Sequence, residues 1–497
     1  MKRLTLYNFY PLLFSVYPII ALNSHNLIYV NFNSIIRSLI LTVVMTLVLM
    51  SLLTLITKSR DKGSILTLVI LFIFFSYGQV YDFLGSILGG AIRHRFLGGI
   101  FLAIFILALW LVFRTRSISP FLGKFLSVTS LALVVISLIP MVQNSVSNAI
   151  SSNSMKKTDV SELQQVDLPK PDIYVIILDS YTRANVLEKK YHYDNSPFLD
   201  QLKDLGFYIA DCSQSNYPST RYSLTSLMQG NYLQEINPNG SLSPFSATFA
   251  IRSLRTLGYS VYSFENWSKG HFDLGEDKLF SRNSPVLSLN ILLSGLNEFE
   301  SMLMKTSLLR ILVDMPQLAP GLDLNKAEFY EHYQQVKYTL SELPNLPAMT
   351  SPKFVLVHLL VPHEPYIFTP DGSYKYVGDT IKGYTSNVAF LNNNLPAIME
   401  KIIDNSKIPP VIIIQGDHGP NMKVYDPETR HSILNAYYVN DKADSLLYPA
   451  ISPINSFRVV FNAYFNGNYD LLPDKAYYAY GPKSMTEKNL VPNNCNR

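Results

Sequence analysis

The sequence predicts an N-terminal all-α transmembrane bundle of about five helices, followed by a C-terminal α/β domain with a mainly parallel sheet covered on both faces. Three observations carry that prediction. Apolar runs of membrane length crowd the first 150 residues. Charge divides at the same point: residues 1–150 hold eleven Lys/Arg and two acids, Asp61 and Asp82, while the rest holds thirty basic and thirty-five acidic residues. Beyond it, short β-branched runs alternate with amphipathic stretches. The split excludes one uniform globular protein. The basic charge lies among apolar runs rather than on a soluble face, which argues against a nucleic-acid partner. Two cysteines in 497 residues exclude a disulfide-rich scaffold and a cysteine-based zinc knuckle.

The apolar runs cover residues 9–23, 35–57, 64–90, 97–113 and 121–143. A helix needs about 20 apolar residues to cross a bilayer core, and buried core helices rarely run that far without a polar face. The first run is the shortest and is broken by Pro11 and Pro18. No small-x-small cleavage pattern follows it, so it reads as a span rather than a signal peptide. With the N-terminus inside, Lys2, Arg3, Lys58, Arg60, Lys62, Arg114 and Arg116 face the cytoplasm, and Arg37, Arg93 and Arg95 fall at the outer boundary. An odd number of spans then delivers the remainder outside. The expected division is a transmembrane domain at 1–150, a juxtamembrane linker at 151–168 and an extracytoplasmic domain at 169–497. Residues 144–168 are rich in Ser, Asn and Gln, as a tether or surface helix would be.

Within the second domain, Ile173–Leu178 (IYVIIL), Phe354–Leu360 (FVLVHLL) and Val411–Ile414 (VIII) are continuous apolar runs of strand length. Such strands belong to a parallel sheet buried on both faces. Asn195-Ser196-Pro197 before FLDQLKDL reads as a capped helix start. No repeat of solenoid period is present.

In open α/β sheets ligands bind beyond the carboxyl ends of the strands. Asp179 directly follows IYVIIL, and Asp417 and His418 follow VIIIQG. His358 lies inside FVLVHLL and His363 in VPHEP, with His431 further on. Carboxylate and imidazole together suit Zn²⁺ or Mn²⁺, ahead of Mg²⁺ or Ca²⁺. Each residue alone has a plainer role: Asp179 as a helix cap, His358 as a core histidine, His431 as a surface residue. Residues 215–230 (SNYPSTRYSLTSLMQG) form a turn leading into an apolar-periodic helix. A hydroxyl in its first turn would sit among free N–H groups that favour an anion, and beside a metal it would become a nucleophile. An ordinary Ser/Thr cap fits the spacing too, and Ser219, Thr220 and Ser223 are equivalent by this argument.

Asp179, then Thr220 at a helix start, then His358 and His363, then Gly416-Asp417-His418-Gly419 resembles the alkaline phosphatase–sulfatase superfamily. With five preceding spans the chain looks like the membrane branch of lipoteichoic acid synthases and lipid A phosphoethanolamine transferases. The likeness implies an alkaline-phosphatase-like domain in which Asp179, Thr220, Asp417 and His418 hold a metal and Thr220 is the nucleophile. Asp179 stands where these transferases usually have Glu. Thr220-Arg221-Tyr222-Ser223 resembles their Thr-x-Tyr-Ser, and Gly230 matches a glycine ten residues after the sulfatase nucleophile. His363 and Arg221 would act with Thr220, while His358 and His431 would bind substrate. The Cys-x-Pro-x-Arg sequence that sulfatases convert to formylglycine is absent, as are the multiple disulfides of the phosphoethanolamine transferases. At most Cys212 pairs with Cys495.

The resemblance implies a multi-pass enzyme of the cell membrane that moves a phosphoryl headgroup from a membrane lipid donor to a glycan or lipid acceptor, through a covalent threonine ester. Two other readings stay open: a metal-dependent hydrolase of the same fold (a phosphodiesterase or an unconventional sulfatase), and a non-catalytic envelope binding protein.

Overall fold

Five helices occupy the N-terminal part of the computed structural model, which describes residues 9–26, 32–88, 92–155, 170–236, 242, 244–266, 272–282, 298–318, 324–378, 381–421, 426–478 and 489–495. They are α1 (Tyr10–His25), α2 (Ile36–Thr57), α3 (Arg60–Ile87), α4 (His94–Arg114) and α5 (Pro120–Met155). Four are long and apolar enough to cross a membrane: α2, α3, α4 and Pro120–Gln143 within α5, with mean hydropathies of 2.7, 1.9, 2.8 and 2.4. The run at 9–23 becomes α1, whose 16 residues contain Pro18. That length is about 24 Å, short of the ~30 Å hydrocarbon core. Helix α5 continues past residue 143 to Met155, into the expected linker; the rest of that linker, 156–168, lies outside the described residues.

The chain divides into two compact units. One holds residues 1–145 together with 285–328, of which 298–318 and 324–328 are described, a segment that in sequence follows all five helices. Two short helices, Glu298–Thr306 and Arg310–Asp314, make up most of 298–318. Its apolar residues explain where it sits. Phe299 is buried with Ile19, Ile35, Leu71 and Phe75, and Met302 and Leu303 pack on the same cluster. Leu308 and Ile311 pack on Tyr77, Leu97 and Phe101. Ion pairs fix the register: Arg37 with Glu300, Arg310 with Asp82 at 2.6 Å, and His94 Nε2 3.0 Å from Asp314 Oδ2.

The other unit is built on nine strands: β1 (Ile173–Leu178), β2 (Tyr208–Ile209), β3 (Ser260–Phe264), β4 (Lys278–Phe280), β5 (Lys353–Leu359), β6 (Tyr366–Phe368), β7 (Tyr374–Val377), β8 (Val411–Gly416) and β9 (Asn435–Tyr438). Seven form one sheet in the order β2-β9-β8-β1-β5-β3-β4, and β6 pairs with β7 apart from it. The three apolar runs become the adjacent central strands β8, β1 and β5, all parallel. Only β9 and β2, at one edge, run antiparallel to their neighbours. Period-two alternation sends Tyr174, Ile176 and Leu178 of β1 into one core and Ile173, Val175 and Ile177 into another. Helical segments cover both faces, as expected for strands apolar at every position. A further bridged pair of short strands, Ala476–Tyr477 and Leu490–Val491, lies near the C-terminus.

Helix Ser196–Asp204 begins where Asn195-Ser196-Pro197 predicts, but Asn195 makes no cap bond. Its Oδ1 instead accepts from Tyr181 Oη (3.1 Å) and Asn392 Nδ2 (2.8 Å). Cys212 and Cys495 form a disulfide across 283 residues, with Cα atoms 5.5 Å apart. At the amino end of the central strands, fully buried Lys353 pairs with the buried carboxylate of Asp172. That carboxylate also accepts from Lys353 N (3.0 Å) and Ser351 Oγ (3.0 Å). Lys353→Met strips the ammonium and leaves a buried anion, at a cost of about 3–5 kcal/mol. We expect a clearly lower urea midpoint for that variant and recovery when Asp172→Asn is added. An unshifted midpoint in the single variant would refute the assignment.

Candidate active site

The sheet register decides which side chains meet. Leu178, the last residue of β1, stands opposite Leu359 of β5 and Gly416 of β8. Asp179 therefore leaves β1 beside the carboxyl end of β5, and Asp417 leaves β8 on its other side. Asp179 N donates to Leu359 O (2.9 Å), and Asp179 Oδ2 lies 3.1 Å from His358 Nε2. One oxygen of Asp417 is occupied, accepting from Ser180 N (3.0 Å) and from His418 N (2.9 Å). Its other oxygen, Oδ2, is buried, receives no hydrogen bond and lies 3.3 Å from His418 Nε2. Ligand atoms of Asp179, Asp417 and His418 all lie within 4.8 Å of one another, and the three residues are buried.

Glycine at positions 416 and 419 has a steric cause. A Cβ on Gly416 would sit 2.3 Å from Tyr181 O, and one on Gly419 1.8 Å from Thr429 O. Two close backbone approaches on either side thus hold Asp417 and His418 in place.

The three hydroxyl candidates separate. Ser219 is the N-cap of helix Thr220–Gln229, yet its side chain makes no cap bond. Ser223 is buried and donates to Tyr217 O (2.7 Å). Thr220, the first helical residue and partly exposed, has its Oγ1 3.1 Å from His418 Nε2. Arg221 lies with its guanidinium 4.6 Å from the Phe245 ring centre and 5.9 Å from that of Phe272. Burial there lowers its pKa to about 10.

The histidines take different places. His358 lies on Asp179, and its Nδ1 is buried without a partner. His363, half-buried in the loop after β5, donates its backbone N–H to Asp179 O (3.0 Å). His431 is fully buried, with Nδ1 3.0 Å from Ser215 O and Nε2 unpartnered, so it is not a surface residue. Burial lowers its pKa to about 4. Burial also lowers that of His418, against the pull of Asp417, and favours the neutral imidazole that a metal needs. Desolvation works to raise the Asp179 carboxyl, but His363, His358 and His418 around it hold it well below the usual carboxylate range.

Four residues that sequence reasoning missed shape the site. Ser180 adopts φ 67° and donates its Oγ to Asp179 Oδ1 (3.0 Å) while its backbone N–H serves Asp417. Tyr384 Oη donates to Ser180 O (2.8 Å) and accepts from Thr182 N (3.2 Å), fixing that turn. Arg430 bonds Pro218 O and Gly419 O, both at 2.7 Å, and so ties the loop before Thr220 to the loop after His418. His332 is buried on helix Leu324–Glu342, and burial, with the nearby His363, lowers its pKa to about 3. Only Ser180, next to Asp179, carried a positional signal; the other three gain their roles from contacts with distant parts of the chain.

A family model described as sulfatase matches residues 171–470, more than half of the chain. No curated protein matches. Among solved structures, the C-terminal periplasmic domain of EcEptC from Escherichia coli in complex with Zn is similar at 10% identity and TM-score 0.43, covering 66% of this chain and 94% of that one. The corresponding domain of the phosphoethanolamine transferase EptC from Campylobacter jejuni is similar at 15% identity and TM-score 0.38, covering 61% and 92%. The lipoteichoic acid synthase LtaP from Listeria monocytogenes is similar at 12% identity and TM-score 0.37, covering 66% and 83%. On this family match, which spans Asp179, Thr220, Asp417 and His418, the chain belongs to the sulfatase family.

Proposed function

We propose that the protein is a membrane-anchored, metal-dependent transferase that moves a phosphoryl headgroup from a membrane lipid to a glycan or lipid acceptor of the cell envelope. The observation that carries this reading is the Thr220 hydroxyl, 3.1 Å from His418 Nε2 beside two buried carboxylates.

Asp179, Asp417 and His418 would hold one divalent cation, Zn²⁺ or Mn²⁺. The fit rests on Asp417 Oδ2, a buried anionic oxygen with no hydrogen-bond donor, and on a donor set of two carboxylates and a neutral imidazole. Such an ion, when bound, lowers the pKa of a neighbouring hydroxyl and offsets phosphoryl charge. Thr220 Oγ1 attacks phosphorus as its proton passes to solvent. The new Oγ1–P bond replaces the bond to the lipid alcohol, whose oxygen takes a proton from His363. In the second half His363 accepts the proton of an acceptor hydroxyl, whose oxygen forms the new bond to phosphorus as the Oγ1–P bond breaks, and Thr220 Oγ1 regains its proton from solvent. His358 holds Asp179 in place, and a threonine in this position cannot supply the formylglycine of conventional sulfatases.

Charge and connectivity support an extracytoplasmic site. Segment 298–318 comes after the last span, and it pairs with Arg37 at the start of α2, with Asp82 near the end of α3 and with His94 at the start of α4. Those ends of the helices therefore lie on the same side as segment 298–318, which follows the last span. Lys58, Arg60, Lys62, Arg114 and Arg116 lie at the opposite ends, as cytoplasmic residues do. The Cys212–Cys495 disulfide suits an oxidising compartment.

Incubating the purified full chain with headgroup-labelled phospholipid, with and without envelope glycan, separates the outcomes. Label on the glycan supports transfer, label released only as free headgroup supports a hydrolase, and no turnover with either Zn²⁺ or Mn²⁺ refutes the enzymatic reading.

A further inference from the structure

The membrane unit contains a cavity of about 310 Å³ lined by Tyr81, Ile92, Arg93, His94, Arg95 and Met315. It lies where α3 ends and α4 begins. Its cations are unusual for this end of the unit. Arg37 and Arg310 each have a carboxylate, Glu300 for the first and Asp82 and Asp314 for the second. Arg93 and Arg95 pair with no acidic group among the described residues; both are exposed, and Arg95 rests 5.0 Å from the Phe96 ring centre. Asp82 and Asp314, at the same ends of the helices, are already engaged by Arg310, and Asp314 also by His94. The first turn of α4 adds to the field: it contains no acidic residue, and Arg93, its N-cap, offers no side-chain cap bond. Two uncompensated guanidinium groups beside a cavity form a receptor for an anion, and arginine's planar donors match phosphate oxygens.

The surroundings say which anion. Leu88, which ends α3, and Phe96 and Ile100 on α4 are 52%, 59% and 54% exposed, so apolar surface continues from the cavity along α4, one of the four membrane-length helices. A free phosphate has no use for such a surface, whereas the acyl chains of a phospholipid do. We propose that this cavity is a docking site for the phosphodiester of an anionic membrane phospholipid, held by Arg93 and Arg95 with its chains along α4. The site does not depend on the chemistry at Thr220.

The test is lipid binding by the full chain in nanodiscs of zwitterionic lipid containing spin-labelled phosphatidylglycerol. The wild-type chain should retain labelled phosphatidylglycerol in preference to labelled phosphatidylcholine. Arg93→Gln/Arg95→Gln should weaken that preference about thirtyfold, at about 1 kcal/mol for each charge. Arg114→Gln/Arg116→Gln, at the other end of α4, should leave it unchanged. Glycerol phosphate should not displace the lipid; displacement would mean a soluble-anion site and overturn the proposal. So would a double variant equal to wild type. If the double variant does not fold, a photoactivatable phosphatidylglycerol on the wild-type chain replaces it: crosslinks within residues 92–96 are expected, and crosslinks confined elsewhere overturn the proposal. Because the readout is binding, it is unaffected by whether Thr220 forms an adduct.

Discussion

Thr220→Ala should lower turnover about ten-thousandfold or more while the thermal midpoint stays within experimental error of wild type. Loss of a covalent nucleophile has effects of this size because the remaining groups can only bind and polarise. The fold should tolerate the change. Thr220 is partly exposed, caps nothing, and its hydroxyl has one partner, His418 Nε2. Alanine is also the best helix former, and position 220 is helical. The decisive measurement is mass spectrometry of acid-quenched reactions. Wild type should carry a phosphoryl adduct on the peptide containing Thr220, and the variant none. Wild-type turnover without any adduct, or an active alanine variant, would remove the covalent step and leave direct attack by an acceptor or water.

Asp417→Asn should have the next largest effect, seen first in metal binding. The amide oxygen can keep the bonds that Oδ1 accepts from Ser180 N and His418 N, so the turn should persist. The amide nitrogen would replace Oδ2, the buried oxygen that has no donor of its own. A donor N–H then faces the place where a cation needs an electron pair. Metal affinity should drop by more than about a hundredfold, since even groups one step removed from a metal cost 10–100-fold when changed. In wild type, Zn²⁺ or Mn²⁺ at about a hundred times Kd should add about 2.7 kcal/mol of stability, a rise of some 5–10 °C in Tm. The Asn variant should show no such rise, and a chelator should leave its Tm unmoved. A metal-responsive Asn variant would relocate the site.

Much of the candidate site is legible in sequence because the sheet puts it at strand ends. IYVIIL, FVLVHLL and VIII are apolar at nearly every position, which marks buried parallel strands, and the polar residue that breaks each run is where a ligand group can emerge. What sequence does not carry is that β8, β1 and β5 are neighbours, and hence that residues 238 positions apart share one cluster. The same limit hid Tyr384, Arg430 and His332, whose roles come from partners in other parts of the chain. Arg430 looks like any helix-terminal arginine until Pro218 and Gly419 are beside it. The span count illustrates a different limit: hydropathy finds the run at 9–23, but Pro18 and a length of 16 residues make α1 the one helix that falls short of membrane thickness. Segment 298–318 was unreadable because its short amphipathic helices carry no local sign of where their apolar side will be buried.

That last segment bears on how the protein can be handled. Phe299 is fully buried, and Met302, Leu303, Leu308 and Ile311 pack beside it or in the adjoining cluster, all against side chains from α1 to α4. Cutting the gene before the second unit to make a water-soluble fragment would strip those neighbours away and leave five greasy side chains, with Glu300 bereft of Arg37, facing buffer. Such a truncation should be sticky and prone to precipitation unless the 298–318 stretch is trimmed or recoded with polar residues.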